Sequence, residues 1–183
     1  MFTWIKKIKS YTEYMSDVIT AVKGQAVTLS ETENVSFDLD ELVKRVDILM
    51  KHELKNAVIY LNVDMRVDSS LTIHGDVNSL VQVINNMISN AIQAYKGKQE
   101  QNIDMILEKK DNNLLISIQD YASGLPEKVQ KKLFKEMVTT KGKNGTGLGL
   151  YMSYSTIKAH FNGNIEFKTK QGEGTTFTIT IPI

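Results

Sequence analysis

Between residues 39 and 182, the spacing of apolar residues alternates between the period of a helix and the period of a strand. Intervals of three and four residues predict helices near 39–54, over 76–95 and over 148–161, and a shorter helix from Pro126 to Phe134. Alternating apolar residues predict strands near 58–63, 102–108, 114–119, 164–169 and 175–182. This order of elements indicates an α/β fold, a two-layer α/β sandwich in which one mixed sheet carries helices on one face.

A different pattern occupies the N-terminal residues. Apolar residues recur there at steps of four and three, as in a coiled-coil seam: Trp4, Ile8, Tyr11, Met15, Val18 and Val22. We expect a coiled-coil-like helix over residues 1–24, a polar linker over 25–36 and one domain over 37–183. The pattern favours pairing with a partner helix, and the alternative is an amphipathic helix packed on its own domain.

The composition excludes several classes of protein. The formal net charge is only +1, which argues against a nucleic-acid-binding protein, and the absence of cysteine excludes disulfides and thiolate zinc sites. No apolar run approaches the roughly 18 residues that a membrane-spanning helix needs. We therefore expect a cytoplasmic domain, although a longer parent protein could still be membrane-anchored.

A glycine-rich run, Gly145-Thr146-Gly147-Leu148-Gly149-Leu150, comes directly before the third long helix pattern. Glycine allows the backbone to approach a ligand closely, and the free N–H groups at a helix N-terminus attract phosphate. The run differs from the dinucleotide-binding fingerprint, which needs another glycine spacing and a preceding strand. It predicts a phosphate-binding loop, and the alternative is a flexible lid that only caps the helix.

Two asparagines, Asn86 and Asn90, lie four residues apart in an otherwise apolar helix pattern, so they share one face. Their carboxamide oxygens could ligate Mg²⁺ beside ATP phosphates. The alternative is that both amides satisfy backbone groups in the core.

Asp120 ends a predicted strand and begins the turn Asp120-Tyr121-Ala122-Ser123-Gly124. A carboxylate at this position can accept a hydrogen bond from an exocyclic amine such as that of adenine. Taken alone, the stretch would also fit an ordinary strand-end turn.

Together and in this order, the three motifs resemble the N, G1 and G2 boxes of the ATP-binding domain of sensor histidine kinases. That domain belongs to a superfamily that includes DNA gyrase, mismatch-repair ATPases and the ninety-kilodalton heat-shock chaperones. The resemblance covers roughly residues 37–183. Residues 133–141, Leu-Phe-Lys-Glu-Met-Val-Thr-Thr-Lys, resemble the F box, and Gly172-Glu173-Gly174-Thr175 resembles the turn of the closing strands.

The resemblance implies a role for each matching residue. Asn90 would hold Mg²⁺, with Asn86 beside the phosphates, and both would be catalytic. Asp120 would bind the adenine amine, with Thr175 supporting that contact through water. Gln93 and Lys141 would contact phosphate from the helix and the lid. The residues expected to bind ATP are Asn86, Asn90, Gln93, Asp120, Gly124, Lys141, Gly145, Thr146, Gly147, Leu148, Gly149 and Thr175.

One departure concerns Ala122, which stands where the G1 box usually has its first glycine. Alanine fits there at a negative φ and is costly at a positive φ.

Asn86 also bears on the choice between family members. Relatives that hydrolyse ATP or phosphorylate serine typically have a glutamate four residues before the Mg²⁺ asparagine, where it acts as general base. An asparagine cannot take that proton, whereas a neutral imidazole acceptor is already a nucleophile. The sequence favours a histidine kinase, with a non-catalytic ATP-binding module or a gyrase-type ATPase as alternatives.

The chain has three histidines, His52, His74 and His160. His52-Glu53-Leu54-Lys55-Asn56 looks like the family's acceptor box. Only 23 residues lie between His52 and Asp76 at the start of the N-box helix, too few for the helical hairpin that carries an acceptor. We expect His52 to end the first helix of the domain. The acceptor is expected upstream of this chain, residues 1–24 resemble the second helix of the dimerisation domain, and the implied partners are a response regulator and a second copy of the parent.

Overall fold

The computed structural model describes residues 36–131, 133–134 and 148–183. The helix predicted over 1–24, the predicted linker up to residue 35 and residues 136–147, which the sequence predicts to form a mobile loop, lie outside these residues. The described helices are α1 (Leu39–Ala57), α2 (Val77–Ala94), α3 (Glu127–Gln130) and α4 (Leu148–Phe161). The described strands are β1 (Ser36–Asp38), β2 (Ile59–Met65), β3 (Thr72–His74), β4 (Gln101–Lys110), β5 (Asn113–Asp120), β6 (Asn164–Lys170) and β7 (Gly174–Pro182).

Five strands form one mixed sheet in the order β2-β4-β5-β7-β6. β2 pairs with β4 in parallel, and the remaining pairs are antiparallel. Burial alternates strictly along β5, because every second side chain faces the core. The register places Asp120 at the end of β5 directly opposite Thr175 on β7.

The helices α1, α2 and α4 pack side by side on one face of this sheet, over β2, β5 and the β6–β7 pair in turn. The core lies between the two layers, and most of the fully buried side chains are aliphatic. This arrangement confirms the predicted two-layer α/β sandwich.

Helix α2 carries the two asparagines and is held at both ends. Asp76 caps its N-terminus, with carboxylate oxygens that accept the backbone N–H groups of Asn78 and Ser79. The helix ends at Tyr95, whose side chain is buried. The predicted boundaries, 76–95, are therefore correct to within one residue.

A small second sheet was not predicted. β1 pairs with β3 in antiparallel fashion, and the pairing sets Phe37 opposite Ile73, both of them buried. Each strand has only three residues, too few for an alternating pattern to be recognised.

Three predicted boundaries are wrong. Helix α1 continues to Ala57, so His52 does not end it, and Val58 is the left-handed residue that closes the helix rather than the first residue of a strand. Helix α3 ends at Gln130 and does not reach Phe134, where a φ of 64° cannot continue a right-handed helix.

Candidate functional site

Asn86 joins the two helices that carry the asparagine and glycine motifs. Its Nδ2 donates to Oγ of Ser153 on α4 at a distance of 2.9 Å. Ser153 is only 5% exposed, so this hydroxyl has little access to water. The hydrogen bond fixes which way the Asn86 amide points, with its nitrogen toward α4.

Gly149, near the start of α4, packs against the same amide. A Cβ added at Gly149 would lie 2.7 Å from Asn86 Oδ1 and 2.8 Å from its Nδ2, closer than real side chains approach. Any larger residue would have to displace Asn86. The glycine-rich run therefore meets the asparagine face of α2 through a contact that only glycine permits.

The other predicted side chains on α2 lie next to this contact. Asn90 Nδ2 lies 3.5 Å from Asn86 Oδ1, so the two amides are neighbours, as their spacing predicted. Gln93 is exposed, and its amide is directed at Ser89 Oγ at 3.5 Å. Ser89 in turn donates to Glu53 of α1 at 2.6 Å.

Asp120 is a buried carboxylate at the end of β5, 5% exposed. Oδ1 accepts the backbone N–H of Ala122 at 3.0 Å, and the carboxylate also accepts the backbone N–H of Thr175. Burial raises the pKa of Asp120 above its ordinary value, and these two hydrogen bonds oppose the rise. The remaining lone pairs of the carboxylate are acceptors only.

The turn after Asp120 is held from both faces of the sheet. From the helix face, the buried Tyr95 hydroxyl accepts the backbone N–H of Tyr121 at 2.8 Å and donates to the carbonyl of Asn102. From the open face, the Tyr121 hydroxyl donates to Asp104, which raises the pKa of Tyr121 to about 12. Because Tyr121 is held by both hydrogen bonds, the position of the adjacent Asp120 is also fixed.

Ala122 does not adopt a positive φ, so alanine costs nothing at the position where a glycine is usual. Gly124 does require glycine. Its φ is +72°, and an added Cβ would lie 2.5 Å from the carbonyl oxygen of Lys170.

Thr169 on β6 links this turn to the closing hairpin. Its Oγ1 accepts the backbone N–H of Leu125 at 2.9 Å, donates to the carbonyl of Gly174 at 3.0 Å, and lies 3.1 Å from the Thr175 hydroxyl. Asp120, Thr169 and Thr175 also line one open groove of about 230 Å³ at the ends of the strands.

An aromatic cluster surrounds Phe134, which belongs to the segment that resembles the F box. Phe134 stacks on Tyr154 of α4, with ring centroids 5.3 Å apart, and meets Phe167 and Phe177 edge-on at 5.9 and 6.4 Å. The start of the F-box segment is therefore packed against α4 and the last two strands.

The residues present fit a magnesium nucleotide. The paired amides of Asn86 and Asn90 offer the oxygen ligands that Mg²⁺ prefers. The absence of a Cβ at Gly149 allows the backbone to lie close to them. The buried Asp120 offers an acceptor at the end of β5.

Several predicted site residues cannot be placed. Lys141, Gly145, Thr146 and Gly147 lie outside the described residues, and Leu148 is described only as the first residue of α4. Of the other predicted residues, Asn86, Asn90 and Gly149 meet between α2 and α4, and Asp120 lies opposite Thr175 at the strand ends. Gly124 lies in the following turn beside Thr169, and Gln93 is exposed on α2.

Sequence reasoning missed Ser153, Thr169 and Tyr95. Ser153 and Thr169 contact the predicted residues Asn86 and Thr175 through their hydroxyl groups, and the Tyr95 hydroxyl contacts the backbone of Tyr121, next to Asp120. Ser153 is four residues after Gly149, on one face of α4, which is the one signal that could have indicated it.

Residues 75–183 match the family described as histidine kinase-, DNA gyrase B-, and HSP90-like ATPase. The chain is 29% identical over 184 residues to sporulation kinase C of Bacillus subtilis, and the matched region covers 100% of this chain and 40% of that protein. It is 35% identical over 148 residues to signal transduction histidine-protein kinase AtoS of Escherichia coli, covering 79% of this chain and 23% of AtoS. The chain thus spans less than half the length of these relatives.

Among solved structures, the nucleotide-free catalytic domain of histidine kinase ThkA matches with a TM-score of 0.71 and 26% identity, over 82% of this chain and 96% of that one. ThkA in complex with the response regulator protein TrrA matches with a TM-score of 0.70 and 24% identity, over 93% of this chain and 48% of that one, and shows the same fold. None of the helices in the described ranges is both long and apolar enough to cross a membrane.

Proposed function

The chain belongs to the family of histidine kinase-, DNA gyrase B- and HSP90-like ATPases, and we propose that it is the ATP-binding catalytic domain of a two-component sensor histidine kinase. In this proposal it transfers the γ-phosphate of ATP to a histidine outside this chain. Its similarity to sporulation kinase C, AtoS and ThkA, all of them named histidine kinases, supports the choice within the family.

The observation that carries the proposal is the contact between Asn86 and Gly149. These residues belong to motifs 63 positions apart in the sequence, and the fold brings them together with no room for a Cβ. A glycine run that served only as a lid hinge would not need to begin its helix against an asparagine pair.

Each predicted residue then has a defined task. Asn90 would supply an oxygen ligand to Mg²⁺, and Asn86 would lie beside the phosphates, held in position by Ser153. Asp120 would accept from the adenine amine, with Thr175 beside it. Bound Mg-ATP supplies the phosphoryl group and the positive charge that offsets phosphate repulsion. Gln93 and the residues of the glycine run and lid, Lys141, Gly145, Thr146, Gly147 and Leu148, would contact the phosphates.

Asn86 favours a histidine acceptor over water or serine. An amide cannot take a proton at neutral pH, and the Asn86 nitrogen is already a donor to Ser153. A gyrase-type ATPase would need a general base at this position.

The positions of the three histidines in the structure support a phosphoacceptor histidine outside this chain. His52 lies inside α1, exposed, with its Nδ1 3.1 Å from Asn56 Nδ2. His74 ends β3, and His160 is the second-last residue of α4. To reach a phosphate bound beside Asn86, His52 would have to leave the helix, because in-line attack requires an approach of about 3–3.5 Å.

We further propose that the parent protein passes the phosphate to a response regulator, as the complex of ThkA with TrrA suggests by analogy. The heptad pattern of residues 1–24 supports a parent that dimerises through this helix. A cytoplasmic location for the domain, in a parent with or without a membrane anchor, is part of the same proposal.

Calorimetric titration with ATP, in the presence and absence of Mg²⁺, tests the proposal. The chain should bind ATP more tightly with Mg²⁺. Asn90→Ala should remove most of that difference, and circular dichroism should show an unchanged fold. Asn78→Ala is the matched control, since Asn78 is an exposed residue of the same helix that contacts Arg45. Equal wild-type affinity with and without Mg²⁺ would contradict the metal role.

Incubation of the chain with labelled Mg-ATP tests the position of the acceptor. We expect no acid-labile phosphate on the wild type or on His52→Gln, with ATP binding intact in both. Labelling of the wild type that disappears in His52→Gln would show that the acceptor lies inside α1.

A further inference from the structure

The hydroxyl of Thr169 makes three contacts whose directions follow from the chemistry of its partners. The carbonyl of Gly174 can only accept, so the single Thr169 proton is donated to it at 3.0 Å. The backbone N–H of Leu125 can only donate, so it occupies one lone pair of Thr169 at 2.9 Å.

The third contact is with Thr175, the residue directly opposite Thr169 in the β6–β7 register. The two hydroxyl oxygens are 3.1 Å apart. Because the Thr169 proton is already donated to Gly174, Thr175 must donate its own proton to Thr169. The Thr175 oxygen is left with lone pairs, and so it can only accept further hydrogen bonds.

The carboxylate of Asp120, like the Thr175 oxygen, can only accept hydrogen bonds. Asp120 lies opposite Thr175 on β5, and its carboxylate already accepts the backbone N–H groups of Ala122 and Thr175. Asp120 and Thr175 are both buried, and together with Thr169 they line one groove. The side chains of Asp120 and Thr175 therefore present acceptors side by side at the strand ends.

We propose that Thr169 is a specificity-determining positioning residue, which holds Thr175 as an acceptor so that the site takes a 6-aminopurine and rejects a 6-oxopurine. The inference rests on the proposed function, in which Asp120 reads the purine edge. A 6-amino group brings donors to these acceptors, whereas a 6-oxo group brings only another acceptor. Without the Thr169 hydroxyl, Thr175 can turn its proton toward the ligand and accommodate the 6-oxo group.

The test is the ratio of ATP affinity to GTP affinity, measured by calorimetry on the whole chain. Thr169→Val keeps the shape of the side chain and removes the hydroxyl, and we expect the preference for ATP to fall about 10-fold, the effect of roughly one buried hydrogen bond. Thr169→Ser restores the hydroxyl and should restore the wild-type ratio. A purely structural role would lower the melting temperature of Thr169→Val without changing the ratio.

Thr178→Val is the matched control. The hydroxyl groups of Thr178 and Ser117 are 3.0 Å apart in the same sheet. Both residues lie at positions that alternate with the buried ones, on the face of the sheet away from the helices. Thr178→Val therefore removes a comparable hydroxyl contact away from Thr175 and should keep the wild-type ratio of ATP to GTP affinity. If Thr169→Val does not fold, Thr169→Ala removes the same hydroxyl with less bulk and carries the same expectation.

The outcomes separate this inference from the function on which it rests. A folded Thr169→Val or Thr169→Ala with the wild-type ratio would overturn the role of Thr169 and leave ATP binding intact. A ratio that falls equally in Thr169→Ser would also overturn it. A wild type that binds ATP and GTP alike would overturn the purine reading by Asp120 as well.

Discussion

The carboxamide of Asn86 donates to the buried hydroxyl of Ser153, 67 residues further along the chain, at 2.9 Å. This hydrogen bond ties the helix of the asparagine pair to the helix that follows the glycine run. It also leaves the Asn86 oxygen on the side of Asn90, 3.5 Å from its nitrogen. The relative position of the two motifs thus depends on one serine that neither motif contains.

Replacement of Ser153 by alanine should leave the Asn86 nitrogen without its partner. We expect a loss of about 1–3 kcal/mol in the free energy of unfolding, measured by urea denaturation, together with weaker Mg-ATP binding. Ser155→Ala is the matched control, because Ser155 Oγ bonds only to the carbonyl of Tyr151 in its own helix. If Ser153→Ala binds Mg-ATP as the wild type does, Asn86 does not need this support.

Gly149→Ala sets two effects against each other. Alanine should favour α4 by about 1 kcal/mol through helix propensity. Its Cβ would nevertheless lie 2.7 Å from Asn86 Oδ1, and Asn86 would have to move. We therefore expect ATP affinity to fall by more than 10-fold with a small change in melting temperature. Gly97→Ala is the control for a glycine outside the site: no atom lies within 4 Å of a Cβ there, but its φ of +82° strains alanine, so this variant should lose stability and keep the wild-type ATP affinity. Wild-type affinity in Gly149→Ala would show that the close approach is not required.

Asp120→Asn should separate stability from nucleotide recognition. Burial raises the pKa of Asp120 in the folded state above its ordinary value of 3.8, so the folded protein binds this proton more tightly than the unfolded chain. The stability linked to this group is present below pH 3.8 and is lost as the pH rises through the folded-state pKa.

The melting temperature of Asp120→Asn should therefore rise relative to the wild type as the pH increases from acid to neutral, while its preference for ATP over GTP is lost. Thermal unfolding scans at several pH values provide the measurement. A difference between the two proteins that does not change with pH would contradict the raised pKa.

Val58→Gly should stabilise the protein. Val58 closes α1 with φ 54° and ψ 53°, a left-handed conformation that is unfavourable for a β-branched side chain. Val58 is 36% exposed, so some packing is lost, but strain of about 1–3 kcal/mol outweighs it, and we expect a net gain of about 1 kcal/mol in the free energy of unfolding. Val63→Gly is the matched control, an exposed valine within β2, where glycine should destabilise the strand. A lower melting temperature for Val58→Gly would contradict the strain.

The parts of the fold that were predicted from sequence are those with a local periodic signal. The third long helix was predicted at 148–161, the range that the structure shows, and the apolar alternation of Leu114, Ile116 and Ile118 identified the central strand β5. Pairing of short strands was not predictable, because β1 and β3 are three residues long and more than 30 residues apart.

The same limit applies to the site. Asn86, Asn90, Asp120 and the glycine run belong to motifs that can be read along the chain. Thr169 and Ser153 act through hydroxyl contacts with residues of other elements. A threonine in a strand carries no local signal of such a contact, and the only signal for Ser153 is its spacing of four residues from Gly149.

The two hydrogen bonds of the Tyr95 hydroxyl set the spacing between Asn90 on α2 and Asp120 at the end of β5. Tyr95 lies five residues after Asn90, and its hydroxyl meets the residue next to Asp120. Each residue of an α-helix turns the chain by about 100° and advances it by about 1.5 Å. One residue inserted or deleted between Asn90 and Tyr95 would therefore swing this hydroxyl away from the Tyr121 backbone, even if every side chain of the site were kept. The length of this segment is therefore constrained separately from the identity of its side chains.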